Sequence, residues 1–368
     1  MLDHSLFKEL GIQGRYITMT MLKEKCFSKL SVPVVEIGTS VNGEPILGFQ
    51  MGKGKQKVLM WSQMHGNEST TTKAVWDLVN FLHSEDSLAK SILDGCTLMV
   101  VPMLNPDGAQ AYTRQNSNGI DLNRDAKNQT QPESTALRHL FEEFKPNFCF
   151  NLHDQRTLFS VGNTTKPATV SFLSPASNPE RDVTPTREVA MKLIVAMDKE
   201  LQKYIPGQVG RYDDGFNDNC VGDSFQMAEV PTILFEAGHF PGDYSREKTR
   251  EYIFYALVEA LRIICVDQID NHKTADYFNI PENQKWFFDI LVKQASVINQ
   301  KIEADDLVGI NYKEVLYNNT IQFQPELVDV GLLEGFYGHE TLDCNIPEDF
   351  EELSGRGEII DLLLNANK

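Results

Sequence analysis

The chain has 368 residues, 41% hydrophobic and 23% charged, long enough for a sizeable core and ordinary for a soluble globular protein. Its 52 acidic against 34 basic side chains leave a net charge of −18, which argues against nucleic acid as a partner because phosphate binding needs clustered Lys and Arg. No run is apolar for long enough to span a bilayer, and Met1–Lys8 has no basic stretch leading into an apolar one, so the expectation is a soluble, cytoplasmic protein with no membrane partner.

In chain order, Val34–Val41, Pro45–Met51 and Val58–Trp61 read as successive strands, with Asn42-Gly43-Glu44 as a turn between the first two. Ser69–His83 reads as a helix, with Ser69 and Thr70 as caps and Ala74, Val75, Leu78, Phe81 and Leu82 at helical spacing. Thr97–Met103 is a buried strand, Glu133–Phe144 an amphipathic helix and Asn147–Leu152 another strand. Val170–Leu173 reads as a strand, Thr186–Tyr204 as a helix, Pro231–Phe235 as a strand and Arg246–Cys265 as a long helix. This alternation implies an α/β fold, its mixed sheet covered on both faces. In such sheets chemistry collects where strands end, and His65, Asn105, His153 and Glu236 all lie at or just beyond the end of a predicted strand.

Beyond about Val266 the character changes. Asp267–Ala304 reads mostly helical, and the remainder mixes short strands (Val315–Tyr317, Thr320–Phe323) with acidic turns and a final helix, Gly357–Ala366. No chemistry-bearing cluster is visible there, which divides the chain into 1–266, carrying the chemistry, and a C-terminal α+β appendage, 267–368. The six cysteines are scattered without C-x-x-C spacing, as fits a reducing compartment.

His65-Gly66-Asn67-Glu68 sits directly behind a strand, and an imidazole and a carboxylate three residues apart can close on one divalent metal if the chain turns sharply between them. His153, at the end of Phe148–Leu152, completes a His₂Glu set of the kind hydrolytic zinc sites use. Asp154 or Asn151 either orients a ligating imidazole or faces solvent. Glu236 ends a wholly apolar strand, where a carboxylate costs desolvation energy unless it is functional or paired with an arginine. The functional reading is a general base that takes a proton from an activated water. Asn123 and Arg124, in Asp121-Leu122-Asn123-Arg124, are candidates to hold a substrate carboxylate, and Arg114 is a candidate to polarise a carbonyl. Asn105-Pro106-Asp107-Gly108 is a structural turn by composition.

The ordered set His65-x-x-Glu68, Asn105-Pro106-Asp107-Gly108, Arg114, Asp121-Leu122-Asn123-Arg124, His153 and Glu236 resembles the carboxypeptidase A-like zinc metallopeptidase family over roughly residues 40–265. The resemblance implies a three-layer α/β/α fold around a mixed, eight-stranded sheet. It implies one Zn²⁺ per chain on His65, Glu68 and His153, and a promoted-water mechanism with Glu236 as base. Arg114 then meets the scissile carbonyl, and Asn123 with Arg124 the terminal carboxylate. Tyr212 takes the place of the family's mobile-loop tyrosine. Two departures stand out. The loop around Tyr212 is rich in Asp and Asn, so Asp213, Asp214, Asp218 or Asp223 either meets a cationic substrate or caps turns; and Asp154 stands where relatives carry a small hydroxyl residue. With no pro-region or secretion signal evident, the cytosolic bacterial-type branch fits best.

The leading expectation is a zinc carboxypeptidase acting on peptides. The second is an N-acyl amino acid deacylase of the aspartoacylase and succinylglutamate desuccinylase type, with a small acyl-amino-acid substrate. These share a His-Gly-x-Glu start, and Glu236-Ala237-Gly238 has some of their character. The third is a non-catalytic peptide-binding relative.

Overall fold

The computed structural model describes residues 2–366; Met1, Asn367 and Lys368 lie outside the described residues. Apolar alternation builds the centre of the molecule. In β3 (Gln56–Ser62), Val58 and Met60 join one core while Leu59 and Trp61 join another, so the strand separates two hydrophobic layers. The other strands of that sheet are β1 (Val34–Thr39), β2 (Pro45–Gly52), β4 (Cys96–Val101), β5 (Phe148–Asp154), β7 (Val170–Leu173), β8 (Val209–Arg211) and β9 (Thr232–Ala237). Between them in the chain, the short β6 (Ser160–Val161) leaves the sheet. The order is β1-β2-β4-β3-β5-β9-β7-β8, a mixed, eight-stranded sheet as expected. Strands β4, β3, β5 and β9 run parallel to one another, so their C-terminal ends open onto one edge.

Helices cover both faces. After the short α1 (Met19–Lys25), α2 (Thr70–Leu82), α3 (Ser87–Gly95), α6 (Pro185–Leu201) and α8 (Glu247–Cys265) pack on the larger core. Helices α5 (Pro132–Phe144) and α7 (Val221–Met227) close the smaller one, where Phe141 stacks on Phe225 at 4.0 Å. The short helix α4 (Pro106–Ala111) occupies the segment read as a turn; Asn105 caps it by accepting the Gly108 N–H at 2.8 Å.

Beyond α8 the outcome differs from the expectation. Asp267–Ala304 is not mostly helical: it holds the one-turn α9 (Thr274–Tyr277), β10 (Asn283–Gln284) and β11 (Phe287–Lys293). The run Phe287–Val292 is buried throughout, and a strand buried on both faces carries no alternation to distinguish it from a helix. The two short strands expected downstream belong to one long hairpin, β12 (Leu307–Tyr317) and β13 (Thr320–Gly331). With β14 (Tyr337–Asp343) these form a four-stranded sheet, β13-β12-β11-β14, backed by α10 (Pro347–Ser354) and α11 (Gly357–Asn365). Glu314 of β12 fastens this sheet to the rest through Arg15 (2.9 Å) and Arg156 (2.7 Å), with the Tyr112 hydroxyl as a third donor. No helix among the described residues is long and apolar enough to cross a membrane.

Candidate metal centre and active-site cavity

The turn after β3 brings His65 and Glu68 together because two glycines let backbones touch. A Cβ at Gly66 would fall 1.9 Å from the Gly108 carbonyl carbon, so the His65 loop rests directly on α4. Asn105 Nδ2 donates to Met64 O at 3.1 Å from the same helix end, which gives the Asn-Pro-Asp-Gly segment its structural role. β5, beside β3, carries His153 one residue before its end, and β9 sets Glu236 directly opposite His153 in register.

His65 Nδ1 lies 2.9 Å from Glu68 Oε1 and 3.1 Å from His153 Nδ1, and His153 Nδ1 lies 3.0 Å from Glu68 Oε2. All three side chains are buried. His65 Nε2 meets Asp121 Oδ1 at 2.9 Å, and a proton held there leaves Nδ1 with a bare lone pair aimed at a carboxylate and a second ring nitrogen. Such a convergence of lone pairs is repulsive by itself and favourable around a cation. The donor set of two imidazoles and one carboxylate is that of a zinc site. The residues fit the metal.

Burial raises the Glu68 pKa, but His65 and His153 outweigh it and hold the carboxyl well below the usual range. Glu236 is pushed the other way: burial, then the charges of Glu68 and Asp154, raise it well above an ordinary carboxyl. Its Oε2 is buried without a hydrogen-bond partner, and the residue lines the cavity with no ion pair to an arginine among the described residues. Tyr212 lines the same cavity, its phenol held protonated by burial and by Glu236 and Glu68.

Arg114 is anchored between the two acids, donating from Nη1 to Glu68 Oε1 (3.2 Å) and from Nε to Asp121 Oδ2 (3.1 Å). Asn123 and Arg124 line the cavity from a single turn pinned to α7: Asn123 Oδ1 accepts the Val221 N–H at 3.2 Å, and Arg124 Nη1 reaches Cys220 Sγ at 2.9 Å. All eight residues singled out from the sequence therefore meet, seven of them on the cavity wall with His153 buried beside Glu68.

Asp154 neither orients an imidazole nor faces solvent. It is buried and accepts the Thr70 (2.9 Å) and Thr71 (3.2 Å) N–H groups at the start of α2. The orienting role belongs to Asp121, which the sequence offers only as part of a motif. Of the loop acids, Asp214 pairs with Arg181 and Arg187, Asp218 with Lys127, and Asp213 closes a turn on the Gly215 N–H. Asp223 lines the cavity without an ion pair, hydrogen-bonded to Cys220 and the Ala176 backbone, its carboxyl raised to about 7 by burial.

The cavity, about 820 Å³, also has walls that the sequence did not announce: Lys285, Trp286 and Phe336 from beyond α8, where no chemistry-bearing cluster was expected. A second His-Asp-His group, His239, Asp289 and His339, lies outside it. There the Arg246 guanidinium donates to His239 Nε2 at 2.6 Å, which occupies that nitrogen's lone pair and puts a positive charge beside the group.

A family model described as "Zinc carboxypeptidase" matches residues 28–229. Carboxypeptidase SOL1 of Arabidopsis thaliana is 28% identical over 145 residues, 34% of this chain and 29% of the relative. Carboxypeptidase 2 of Trichophyton rubrum is 26% identical over 114 residues, 30% of this chain and 20% of the relative. The chain thus spans less than a third of the length of these curated relatives. Among solved structures, a metallo-carboxypeptidase from Burkholderia cenocepacia has a TM-score of 0.53 at 20% identity, over 67% of each chain. One from Pseudomonas aeruginosa has a TM-score of 0.55 at 18% identity, over 69% of this chain and 70% of the other. These structures share its fold.

Proposed function

The chain belongs to the zinc carboxypeptidase family, and from that premise we propose that it is a zinc-dependent carboxypeptidase hydrolysing the C-terminal peptide bond of a peptide substrate. One observation carries the reading: His65 Nδ1, His153 Nδ1 and the Glu68 carboxylate converge within 3.1 Å of one another, and Glu236, with an unpartnered oxygen, stands opposite His153 in register. His65, Glu68 and His153 hold one zinc per chain, since the second His-Asp-His group has the Arg246 guanidinium on His239 and a cation there would meet its charge. A bound zinc supplies Lewis acidity at the scissile carbonyl and makes water acidic enough to lose a proton near neutrality.

The remaining work falls to side chains. Glu236 accepts the water proton and returns it to the departing amine, and its raised pKa suits both halves of that transfer. Arg114, held in place by Glu68 and Asp121, donates to the carbonyl oxygen as negative charge gathers there. Asn123 and Arg124 grip the terminal carboxylate, and Tyr212 offers a phenolic O–H beside Glu236. We divide the chain accordingly, with this chemistry in 1–266 and an extension in 267–368.

The test is twofold. Peptides with free C-termini are cleaved and amidated ones are not, while Glu236→Gln lowers kcat by about 10²–10⁴-fold with zinc content unchanged. Full turnover by the variant removes Glu236 from the mechanism. Hydrolysis confined to N-acyl amino acids replaces the peptidase reading with the deacylase one, and a zinc-loaded protein that cleaves neither class leaves a binding module.

A further inference from the structure

The family match ends at residue 229, yet the cavity wall continues far beyond it. A strap around β10 crosses the edge of the central sheet. Arg211 N–H donates to Pro281 O and Gly162 N–H to Glu282 O, both at 2.9 Å, and β10 pairs antiparallel with β6. Asn283 Nδ2 then donates to Ser171 Oγ at 3.0 Å, and Ser171 is the cross-strand partner of Glu236. A Cβ on Gly210 would fall 1.9 Å from Asn283 Oδ1, so the strap lies hard against the strand backbone.

The fixed strap delivers Lys285 and Trp286 to the cavity. Trp286 O accepts the Tyr337 N–H at 2.8 Å, which sets Phe336 beside it with ring centroids 6.5 Å apart. Phe336 in turn stacks at 5.3 Å on the buried Phe288. The result is a half-buried aromatic shelf on a rigid support. Lys285, exposed at its rim, makes no ion pair among the described residues. Asn123 and Arg124 belong to a different frame, fastened to α7.

We propose that Trp286, Phe336 and Lys285 form a subsite for the acyl side of the scissile bond, taking a flat apolar group accompanied by a negative charge. This rests on the carboxypeptidase reading, which assigns the terminal carboxylate to Asn123 and Arg124 and leaves the strap-borne wall for the rest of the substrate.

Trp286 is its own reporter. Of three tryptophans, Trp61 and Trp76 are fully buried and only Trp286 lines the cavity. The zinc-loaded Glu236→Gln protein is titrated with peptides of fixed terminal residue: succinyl-Phe-Y, acetyl-Phe-Y and acetyl-Ala-Y. Binding changes tryptophan emission saturably, with succinyl-Phe-Y at least fivefold tighter than acetyl-Ala-Y. By calorimetry the Phe preference collapses in Trp286→Ala and Phe336→Ala, is partly retained in Trp286→Phe, and the succinyl preference is lost in Lys285→Glu. Silent emission on binding, no binding, unchanged preferences in the variants, or a Trp286→Ala effect that follows Y instead of the acyl residue each overturns the subsite. Discriminating binding without cleavage by the wild type leaves the subsite standing and removes the catalytic reading. Cleavage with unmoved preferences does the reverse.

Discussion

His65 is held from behind. Asp121 accepts from its Nε2 and also binds Arg114, so one carboxylate orients both a metal ligand and the proposed carbonyl donor. Asp121→Asn should weaken zinc affinity about 10–100-fold in chelator competition, and an unchanged affinity would show that the ring is fixed by packing alone. The ligands and the base were legible because each follows an apolar strand, but Asp121 sits 56 residues from the ring it orients, a distance only the fold closes. Gly66 is a second hidden constraint. Its missing Cβ leaves room for the Gly108 backbone, which cannot step aside, so Gly66→Ala should cost about 2–3 kcal/mol in denaturant unfolding and loosen the metal site with it. A stability equal to the parent would mean the loop has slack.

At the scale of the element, α2 shows how a local signal misleads. Ser69 has the composition of a cap, yet its Oγ donates to Arg15 O at 2.6 Å and leaves the helix amides alone. The N-terminus is capped from the end of β5, where the Asp154 carboxylate meets two backbone N–H groups and the positive end of the helix dipole, with Arg246 3.8 Å away. Asp154→Ala should therefore cost about 2–4 kcal/mol in urea unfolding and Ser69→Ala about 1 kcal/mol, since one removes a buried charge from two donors and the other a single neutral bond. A larger loss at Ser69 would reverse the assignment. Seven strands of the central sheet were read nearly to their ends because turn residues and polar segments bound them, while the three-residue β8 was too short to carry a pattern and was not read. Nor was β11, since Phe287–Val292 is buried on both faces and its length suits either state.

For the whole molecule, the sequence marked a change of character near Val266 without revealing that the later segment folds back over the cavity. The contacts that seat it are remote: Arg156 and Glu314 are 158 positions apart. Glu314 is the centre of that attachment and makes it sensitive to acid. Burial pushes its carboxyl up, but Arg15 and Arg156 prevail and hold it at about 2, against an ordinary value of 4.5. A folded pKa below the unfolded one means the stabilisation is complete above 4.5 and is lost as pH falls from there toward 2. The difference corresponds to about 3 kcal/mol. Glu247, where burial is likewise outweighed by Lys73 and Arg250 and the carboxyl held at about 2, imposes a parallel acid loss that the parent and a Glu314 variant share. Comparing the two proteins thus isolates Glu314. Glu314→Gln should be less stable by about 3 kcal/mol at pH 7 in urea unfolding, and the gap should narrow progressively as pH falls from 4.5 toward 2. Emission from Trp286, carried on the same attached segment, should shift in the variant at pH values where the parent is still native. A gap independent of pH would place the cost in lost packing, and the two guanidinium groups would then have no electrostatic part in seating the sheet.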